Sequence, residues 1–335
     1  MNALRVSLAL TVAVFAFASQ PRAAEQTTYK IIDRIKVPDG AFDYATYEPA
    51  SGRIYMARAD NTTVIDPKTG KVSELKSASR GHIALPLPGS TLIVLTQRAG
   101  TIRIVDTATD SVVADFLAGK NPDGAVYDPF SKLVFVMNHD SGDSTVLDPA
   151  TKKPVATIKV GGELEFPVSN GAGKVFVNDE AGNQIAVIDV KTRNVLTRYK
   201  LAGCMAPTGM AYVADAKLLI SSCENGLAKV LQADTGNEVA SLKIGEGPDA
   251  VIYDARRKLA FIPCGAAGVL EVISLADPAH PTVVQHVPTS VGTRTGTLDP
   301  TTGRVYMMAF KAGPAPAGGR ATRLPGSFEV LVVAP

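Results

Sequence analysis

A short pattern recurs about every 40 residues along the chain, and it constrains the fold more than any other feature of the sequence. In each copy an apolar pair is followed by an acid and then by a turn. The clearest copies are 64–67, 104–107, 146–149 and 187–190, with weaker copies at 231–234 and 272–275. Self-similarity at this period is typical of a repeat architecture in which each unit is one supersecondary element.

A second pattern precedes each copy and completes the unit. The segments 42–49, 122–129 and 248–254 lead into short apolar runs rich in Val, Ile, Tyr and Phe. Gly, Pro, Asp and Asn separate these runs, and no segment keeps a helical apolar period. Four short strands in a unit of this length predict a propeller blade. An open solenoid or a β-sandwich is the alternative, although a sandwich requires no such strict repeat.

The sequence predicts an all-β chain that forms a seven-bladed β-propeller with four-stranded blades. The first strands of the seven units begin near Asp43, His82, Asp123, Glu165, Thr208, Asp249 and Arg294. The strand at 29–35 lies outside this count, and the last unit ends at 330–333 without a fourth strand. We therefore expect the N-terminal strand to complete the last blade, since ring closure hides sheet edges that an open array would expose.

The first 24 residues have the layout of a secretory signal peptide. Arg5 precedes an apolar run at 6–17, and small residues permit cleavage after Ala18 or Ala24. The run is short for a membrane anchor, which is the alternative, and we expect no membrane span after cleavage. Residues 25–335 would then form a single propeller domain in the periplasm or outside the cell. A formal net charge of +2, part of which the leader carries, does not indicate a nucleic-acid partner.

These motifs resemble those of the YVTN-repeat (YncE-like) β-propellers, which are mostly exported bacterial proteins. The resemblance lies in the strand starts at 123–129, the blade end at 64–72 and the tail at 326–333, and it covers the whole mature chain. It implies the propeller fold and export. It implies little about activity, because members of this family mostly lack an assigned one and a fold does not specify a function.

Two rings of residues are expected at one mouth of the central channel. The starts of the first strands contribute four carboxylates, a histidine, a threonine and an arginine, where a core would prefer apolar side chains. The second strands end beside them, and this second ring comprises Arg58, Gln97, Asn138, Asp179, Cys223, Cys264 and Ala309. We predict a ligand-binding pocket formed by Asp43, His82, Asp123, Glu165, Thr208, Asp249, Arg294, Arg58, Asn138 and Asp179. The alternative is that the acids simply cap turns, as Asp before Gly or Pro often does.

Two functions follow from such a pocket. The first is a binding or interaction module whose partner is a small polar ligand or a periplasmic protein. The second, by analogy with lactonase-like propellers, is a metal-assisted hydrolase or lyase. In that case Asp123, Glu165 and Asp249 would hold a divalent cation, and His82 would be the general acid or base. No other cofactor is expected: an electron-transfer role ranks third because the chain has neither Cys-x-x-Cys-His nor tryptophan.

The loops and cysteines add smaller predictions. The long segment 311–325 is either a lid that carries Arg320 or Arg323 over the mouth or a plain insertion. The segment 139–143 is interpreted as a turn, and His280 and His286 as surface residues. An oxidising compartment favours a disulfide between Cys204 and Cys223. A bridge between Cys223 and Cys264 stays open, and zinc binding by all three cysteines is the weaker idea because no Cys-x-x-Cys occurs.

Overall fold

The computed structural model describes residues 28–77, 80–314 and 322–335. Over these ranges the regular structure consists of antiparallel strands in seven four-stranded sheets. The predicted leader, residues 1–24, lies outside the described residues. Within them, no helix is long and apolar enough to cross a membrane.

The strands follow the repeat along the chain. The N-terminal strand is β1 (Lys30–Lys36). Blade 1 contains β2 (Phe42–Glu48), β3 (Arg53–Arg58), β4 (Thr62–Asp66) and β5 (Lys71–Leu75). Blade 2 contains β6 (Ala84–Pro86), β7 (Leu92–Gln97), β8 (Thr101–Asp106) and β9 (Ser111–Leu117). Blade 3 contains β10 (Pro122–Asp128), β11 (Leu133–Asn138), β12 (Asp143–Asp148) and β13 (Lys153–Lys159).

The second half of the ring repeats this order. Blade 4 contains β14 (Leu164–Ser169), β15 (Lys174–Asp179), β16 (Gln184–Asp189) and β17 (Asn194–Lys200). Blade 5 contains β18 (Pro207–Val213), β19 (Leu218–Cys223), β20 (Leu227–Gln232) and β21 (Glu238–Lys243). Blade 6 contains β22 (Ile252–Asp254), β23 (Leu259–Cys264), β24 (Val269–Ser274) and β25 (Thr282–Pro288). Blade 7 contains β26 (Gly296–Asp299), β27 (Arg304–Ala309) and β28 (Glu329–Ala334), with β1 as its outer strand.

The N-terminal strand closes the ring as predicted. β1 pairs antiparallel with β28, and Ile35 lies opposite Val330. The closing segment is also tied to blade 6, because Tyr29 exchanges two backbone hydrogen bonds with the Gln285 side chain, at 2.8 and 2.7 Å. The prediction of a seven-bladed propeller with four-stranded blades is therefore confirmed, down to the strand that completes the last blade.

The hydrophobic core is divided among the seven interfaces between neighbouring blades. Side chains alternate across each strand, so one face of a blade packs on the preceding blade and the other on the next. In β3, Ile54 and Met56 pack with Val330 of blade 7, whereas Tyr55 packs with Ile93 of blade 2. This arrangement leaves the first strand of each blade to line the central channel, where the predicted site lies.

Candidate functional site

The start of each first strand is irregular, so the residues of the predicted first ring do not pair with the second strand as the rest of the sheet does. In blades 1, 3, 4 and 5 two residues fail to pair: 43–44, 123–124, 165–166 and 208–209. In blades 2, 6 and 7 the ring residue lies just before the first strand begins. A bulge re-aims a side chain out of the regular alternation of a strand. The seven ring positions are thus equivalent, and they carry their side chains at one end of the channel.

Three ring side chains form one buried cluster. The Nδ1 atom of His82 lies 2.8 Å from Oδ2 of Asp43 and 3.5 Å from Oδ2 of Asp123. Its Nε2 atom lies 3.1 Å from Oδ1 of Asn121. The residue before His82, Gly81, packs tightly against the second strand of blade 2, since a Cβ there would lie 1.8 Å from the backbone oxygen of Thr96. Both ring nitrogens of His82 are engaged, so neither is open to an incoming substrate.

Asp123 is the least satisfied member of this cluster. The residue is 6% exposed, and among the described residues its Oδ1 atom has no hydrogen-bond partner. Burial raises the pKa of Asp123 well above its usual range, and the charges of Glu165, Asp43 and Asp249 raise it further. An acceptor buried without a partner is costly, so this oxygen is a place where a ligand could donate a hydrogen bond.

Glu165 links the ring to groups in two other blades. Its Oε2 atom accepts a hydrogen bond of 3.2 Å from the hydroxyl of Tyr44, and its Oε1 atom lies 3.5 Å from Nε2 of His139. Burial raises the pKa of Glu165 to about 8, with further contributions from Asp249 and Glu180. The pKa of Tyr44 is also raised, by burial first and then by the surrounding carboxylates, so its hydroxyl keeps its proton and donates.

The remaining ring members have more ordinary partners. Nε of Arg294 lies 2.8 Å from Oδ2 of Asp249, yet burial still raises the pKa of Asp249 to about 7 against the opposing effect of Arg294. Thr208 donates a hydrogen bond of 2.8 Å to the carbonyl oxygen of Pro248 and stabilises the channel wall. Of the predicted first ring, the structure brings the four carboxylates, His82 and Arg294 together and directs the Thr208 hydroxyl into the backbone.

The predicted second ring is placed differently. Arg58 donates to the carbonyl oxygens of Ala41 and Pro38, both at 2.8 Å. Asn138 donates at 2.6 Å to a carboxylate oxygen of Asp143. Asp179 accepts from the backbone of Gly182 at 2.9 Å and from Gln184 at 2.6 Å. All three predicted binding residues are buried, and these bonds lie within loops and strands near the mouth.

The mouth is lined instead by residues that come one position after the predicted second-ring residues. A shift of one residue moves a side chain to the opposite face of a strand. Arg98 follows β7, His139 follows β11, and Glu180 follows β15. Nη2 of Arg98 lies 3.9 Å from Oδ2 of Asp43, and Nε2 of His139 lies 3.3 Å from Oε2 of Glu180. The hydrogen bond to Glu180 is the main cause that raises the pKa of His139 to about 9. The sequence signal for Arg98, His139 and Glu180 was the polar residue that directly follows each of their second strands.

The segment 139–143 is a turn at 139–142, as interpreted, but its histidine also belongs to the site. Within the described parts of the chain, His139, Glu165 and Glu180 form a group whose ligand atoms all lie within 4.8 Å of one another. Of the predicted metal ligands only Glu165 belongs to this group, since Asp123 contacts His82 and Asp249 contacts Arg294. With His82 also enclosed, the structure does not favour the metal-assisted hydrolase or lyase.

Two aromatic rings divide the channel below the charged ring. Tyr44 of blade 1 reaches Phe166 of blade 4, with ring centroids 5.0 Å apart and an interplanar angle of 60°. Beyond them lies a cavity of about 570 Å³ whose lining is mostly apolar and includes Leu85, Leu87 and Val251. The two ends of the channel therefore differ in chemistry: one carries a ring of charged residues, and the other holds a cavity whose lining is mostly apolar.

The blade 7 loop brings a second arginine to the charged end. The guanidinium carbon of Arg323 lies 5.3 Å from the ring centroid of Phe42 and 5.0 Å from that of Phe310. Nη1 of Arg323 donates to the carbonyl oxygen of Gly40 at 2.9 Å. Arg323 and Arg294 line a cavity of about 410 Å³. Arg320 lies outside the described residues, and a lid motion of this loop stays a prediction.

The cysteines follow the favoured pairing. Cys204 and Cys223 are joined by a disulfide with a Cα–Cα distance of 5.5 Å, and Cys264 is a buried free thiol. This arrangement excludes both the bridge between Cys223 and Cys264 and a zinc site formed by the three cysteines. His280 and His286 lie at the surface, with side chains 81% and 68% exposed.

Comparison with known proteins adds evidence on the fold. No protein-family profile matches the chain, and no curated protein matches it in sequence. A chain of the mitotic checkpoint complex superposes with a TM-score of 0.74 at 12% identity, covering 96% of this chain and 98% of that chain. The WD40 repeats of RRP9 superpose with a TM-score of 0.76 at 10% identity, covering 90% and 97%. A chain of hydrazine synthase from Kuenenia stuttgartiensis gives a TM-score of 0.71 at 15% identity, covering 90% and 99%. At these identities the likeness shows the fold alone, and the chain is a seven-bladed β-propeller similar in structure to WD40 propellers.

Proposed function

We propose that this protein is an exported binding module whose charged channel mouth binds a small polar ligand through a positively charged, hydrogen-bond-donating group. The observation that carries the proposal is the buried Oδ1 atom of Asp123, which has no hydrogen-bond partner among the described residues. An ammonium or guanidinium group is the natural partner for such an acceptor, since charge-assisted hydrogen bonds are the strong ones.

The charge balance of the mouth supports a cationic ligand. Asp43, Asp123, Glu165 and Asp249 come from four blades, and three of them have raised pKa values because burial and mutual repulsion disfavour their ionised forms. A cation that entered between them would favour the ionised forms and gain from each interaction. Arg294 forms an ion pair with Asp249, and Arg98 lies 3.9 Å from Asp43, but neither arginine reaches the Oδ1 atom of Asp123 within hydrogen-bond distance.

Export and the nature of the partner are part of the same proposal. The leader-like residues 1–24 and the YVTN-repeat resemblance support a periplasmic or secreted location, and the disulfide between Cys204 and Cys223 suits an oxidising compartment. A basic side chain presented by a periplasmic protein would offer the mouth the same chemistry as a small amine. One similar chain belongs to a multi-protein complex, which agrees with an interaction role.

The test is a titration of the purified protein with small cations, namely putrescine and arginine methyl ester, followed by calorimetry and thermal unfolding. A ligand that binds only the folded state stabilises it by about 2.7 kcal/mol at a hundred times its Kd. We expect at least one probe to raise the unfolding midpoint, and Asp123→Asn to weaken its binding about 10-fold or more, the loss of one charge-assisted hydrogen bond.

The matched control is Asp66→Asn, which makes the same change of charge at an exposed turn far from the mouth. We expect it to bind the probe as the unmodified protein does. Equal binding by the Asp123 and Asp66 variants would contradict the proposal, and so would the failure of every cationic probe to raise the midpoint.

A further inference from the structure

Three side chains beside the ring have the composition and spacing of a transition-metal site. Nε2 of His139 lies 3.5 Å from Oε1 of Glu165 and 3.3 Å from Oε2 of Glu180. Two ligand atoms that each lie about 2.1 Å from a zinc ion at the tetrahedral angle are about 3.4 Å apart. The two distances from the histidine therefore match those between ligands around an ion, and all three ligand atoms lie within 4.8 Å of one another.

The second observation is the support that two of the three ligands receive. Nδ1 of His139 lies 2.6 Å from Oδ1 of Asp140, which holds the ring with its Nε2 atom toward the two glutamates. Metal-binding histidines almost always donate their other nitrogen to a carboxylate, carbonyl or water in this way. Asn121 fixes Asp140 in turn, through a hydrogen bond of 3.2 Å from Nδ2. The hydroxyl of Tyr44 orients Glu165 through the oxygen that does not face the histidine.

The position of the group suits a bound ion. The side chains of His139, Glu165 and Glu180 are 19%, 12% and 30% exposed, so the group is largely shielded but is reached from the mouth. Three protein ligands leave further coordination positions for water or another molecule, as in zinc sites that keep an open position. Glu165 and Glu180 belong to blade 4, and His139 to blade 3, so a bound ion would also join two blades.

We propose that His139, Glu165 and Glu180 bind a divalent transition-metal ion, with zinc preferred, and that Asp140 is a positioning residue for His139. The nitrogen ligand favours zinc over calcium and magnesium, which prefer oxygen ligands throughout. This site shares Glu165 with the carboxylates of the proposed cation-binding mouth, but its other two ligands, His139 and Glu180, lie outside that ring, and the site does not depend on the Asp123 oxygen.

The experiment uses the untagged protein after chelator treatment, titrated separately with ZnCl₂, MnCl₂ and CaCl₂ by calorimetry. We expect one zinc ion per chain, weaker binding of manganese, and no binding of calcium at the same concentrations. Cobalt would serve as a spectroscopic probe, because the intensity of its visible absorption distinguishes a four- or five-coordinate protein site from the six-coordinate aqueous ion. Absence of zinc binding by the unmodified protein would overturn the proposal.

The variants localise the ion. Glu180→Gln should weaken zinc binding at least about 10-fold, and Asp140→Asn should weaken it by about 10- to 100-fold through the histidine. The matched control is Glu224→Gln, because Glu224 follows the second strand of blade 5 as Glu180 follows that of blade 4. Unchanged zinc binding by Glu180→Gln would overturn the proposal. If that variant folds poorly, His139→Gln provides the same test.

Variants at residues that only one of the two sites uses distinguish the two proposals. Glu180→Gln should still bind the amine probe, and Asp123→Asn should still bind zinc within about two- to threefold, the usual context dependence of such effects. Zinc binding without amine binding would refute only the proposed function. Amine binding without zinc binding would refute only the metal site.

Discussion

The carboxylates of this protein fall into two regions with opposite environments. At the turns between the third and fourth strands of blades 1, 3 and 4, Asp66, Asp148 and Asp189 accept hydrogen bonds from backbone amides and nearby threonines, which hold their pKa values low. At the channel mouth, burial raises the pKa values of Asp123 and Asp249 instead. The first region repeats the same residue in blade after blade, whereas the second places a different residue in several blades.

This difference separates structural acids from functional candidates. Asp66, Asp148 and Asp189 accept their hydrogen bonds from residues of their own loops, which gives them a structural role within the blade. The acids at the mouth contact side chains of other blades. Among the described residues, the Oδ1 atom of Asp123 has no hydrogen-bond partner. The alternative that the mouth acids simply cap turns does not agree with these contacts. Three predictions test the division, from the largest expected effect to the smallest.

The largest effect is expected in the pH dependence of stability. The pKa of Asp249 is raised from 3.8 to about 7, so between these values the folded state binds more protons than the unfolded state. Stability from this group is present at low pH and is lost as the pH rises through 7, with an upper limit of about 4 kcal/mol. Denaturant unfolding at pH 5 and pH 8 measures the part of this loss that falls above pH 5, at most about 2.7 kcal/mol, and Asp249→Asn should reduce it.

The turn acids act in the opposite direction. Their lowered pKa values give stability that is present at neutral pH and lost as the pH falls below the usual range for aspartate. Asp66→Asn should therefore leave the difference between pH 5 and pH 8 unchanged. If Asp249→Asn showed the same decrease as the unmodified protein, Asp249 would not be the cause of it.

A buried turn acid should be costly to remove. Asp128 is fully buried and accepts hydrogen bonds from the amide and hydroxyl of Ser131, at 2.8 and 2.7 Å. We expect Asp128→Ala to lower the free energy of unfolding by about 2 to 3 kcal/mol, because the serine donors would be left without their acceptor. Chemical denaturation measures this change. A loss under about 0.5 kcal/mol, the usual effect of a surface substitution, would show that this turn acid does not stabilise the fold.

The corresponding change at the mouth should cost little or nothing. Asp123→Asn removes a charge that burial and three neighbouring carboxylates disfavour. We expect the free energy of unfolding to stay the same or to rise by up to about 1 kcal/mol at neutral pH. The same denaturation experiment measures it. A loss as large as that of Asp128→Ala would show that Asp123 stabilises the fold, as the turn acids do.

The sequence was sufficient for the fold because the evidence for a propeller is local. Each blade repeats the same strands and turns, and each strand alternates side chains between two interfaces, so the period alone predicts blade number and closure. The first ring was also predictable, since Asp43, Asp123 and Asp249 occupy the same place in their repeats. The disulfide followed from the hairpin that brings Cys223 near Cys204.

The tertiary structure alone decided which side chains share the mouth. The sequence assigned Asn138 and Asp179 to the mouth, but the side chains that line it are those of the next residues, His139 and Glu180. A shift of one residue along a strand moves a side chain to the opposite face. The contact between Tyr44 and Glu165 joins blades 1 and 4, which are far apart in the chain. The repeat determines the strands and turns of each blade, because these depend on residues that are close in the sequence. The chemistry at the centre depends on distances across the ring, which are fixed only when all seven blades close.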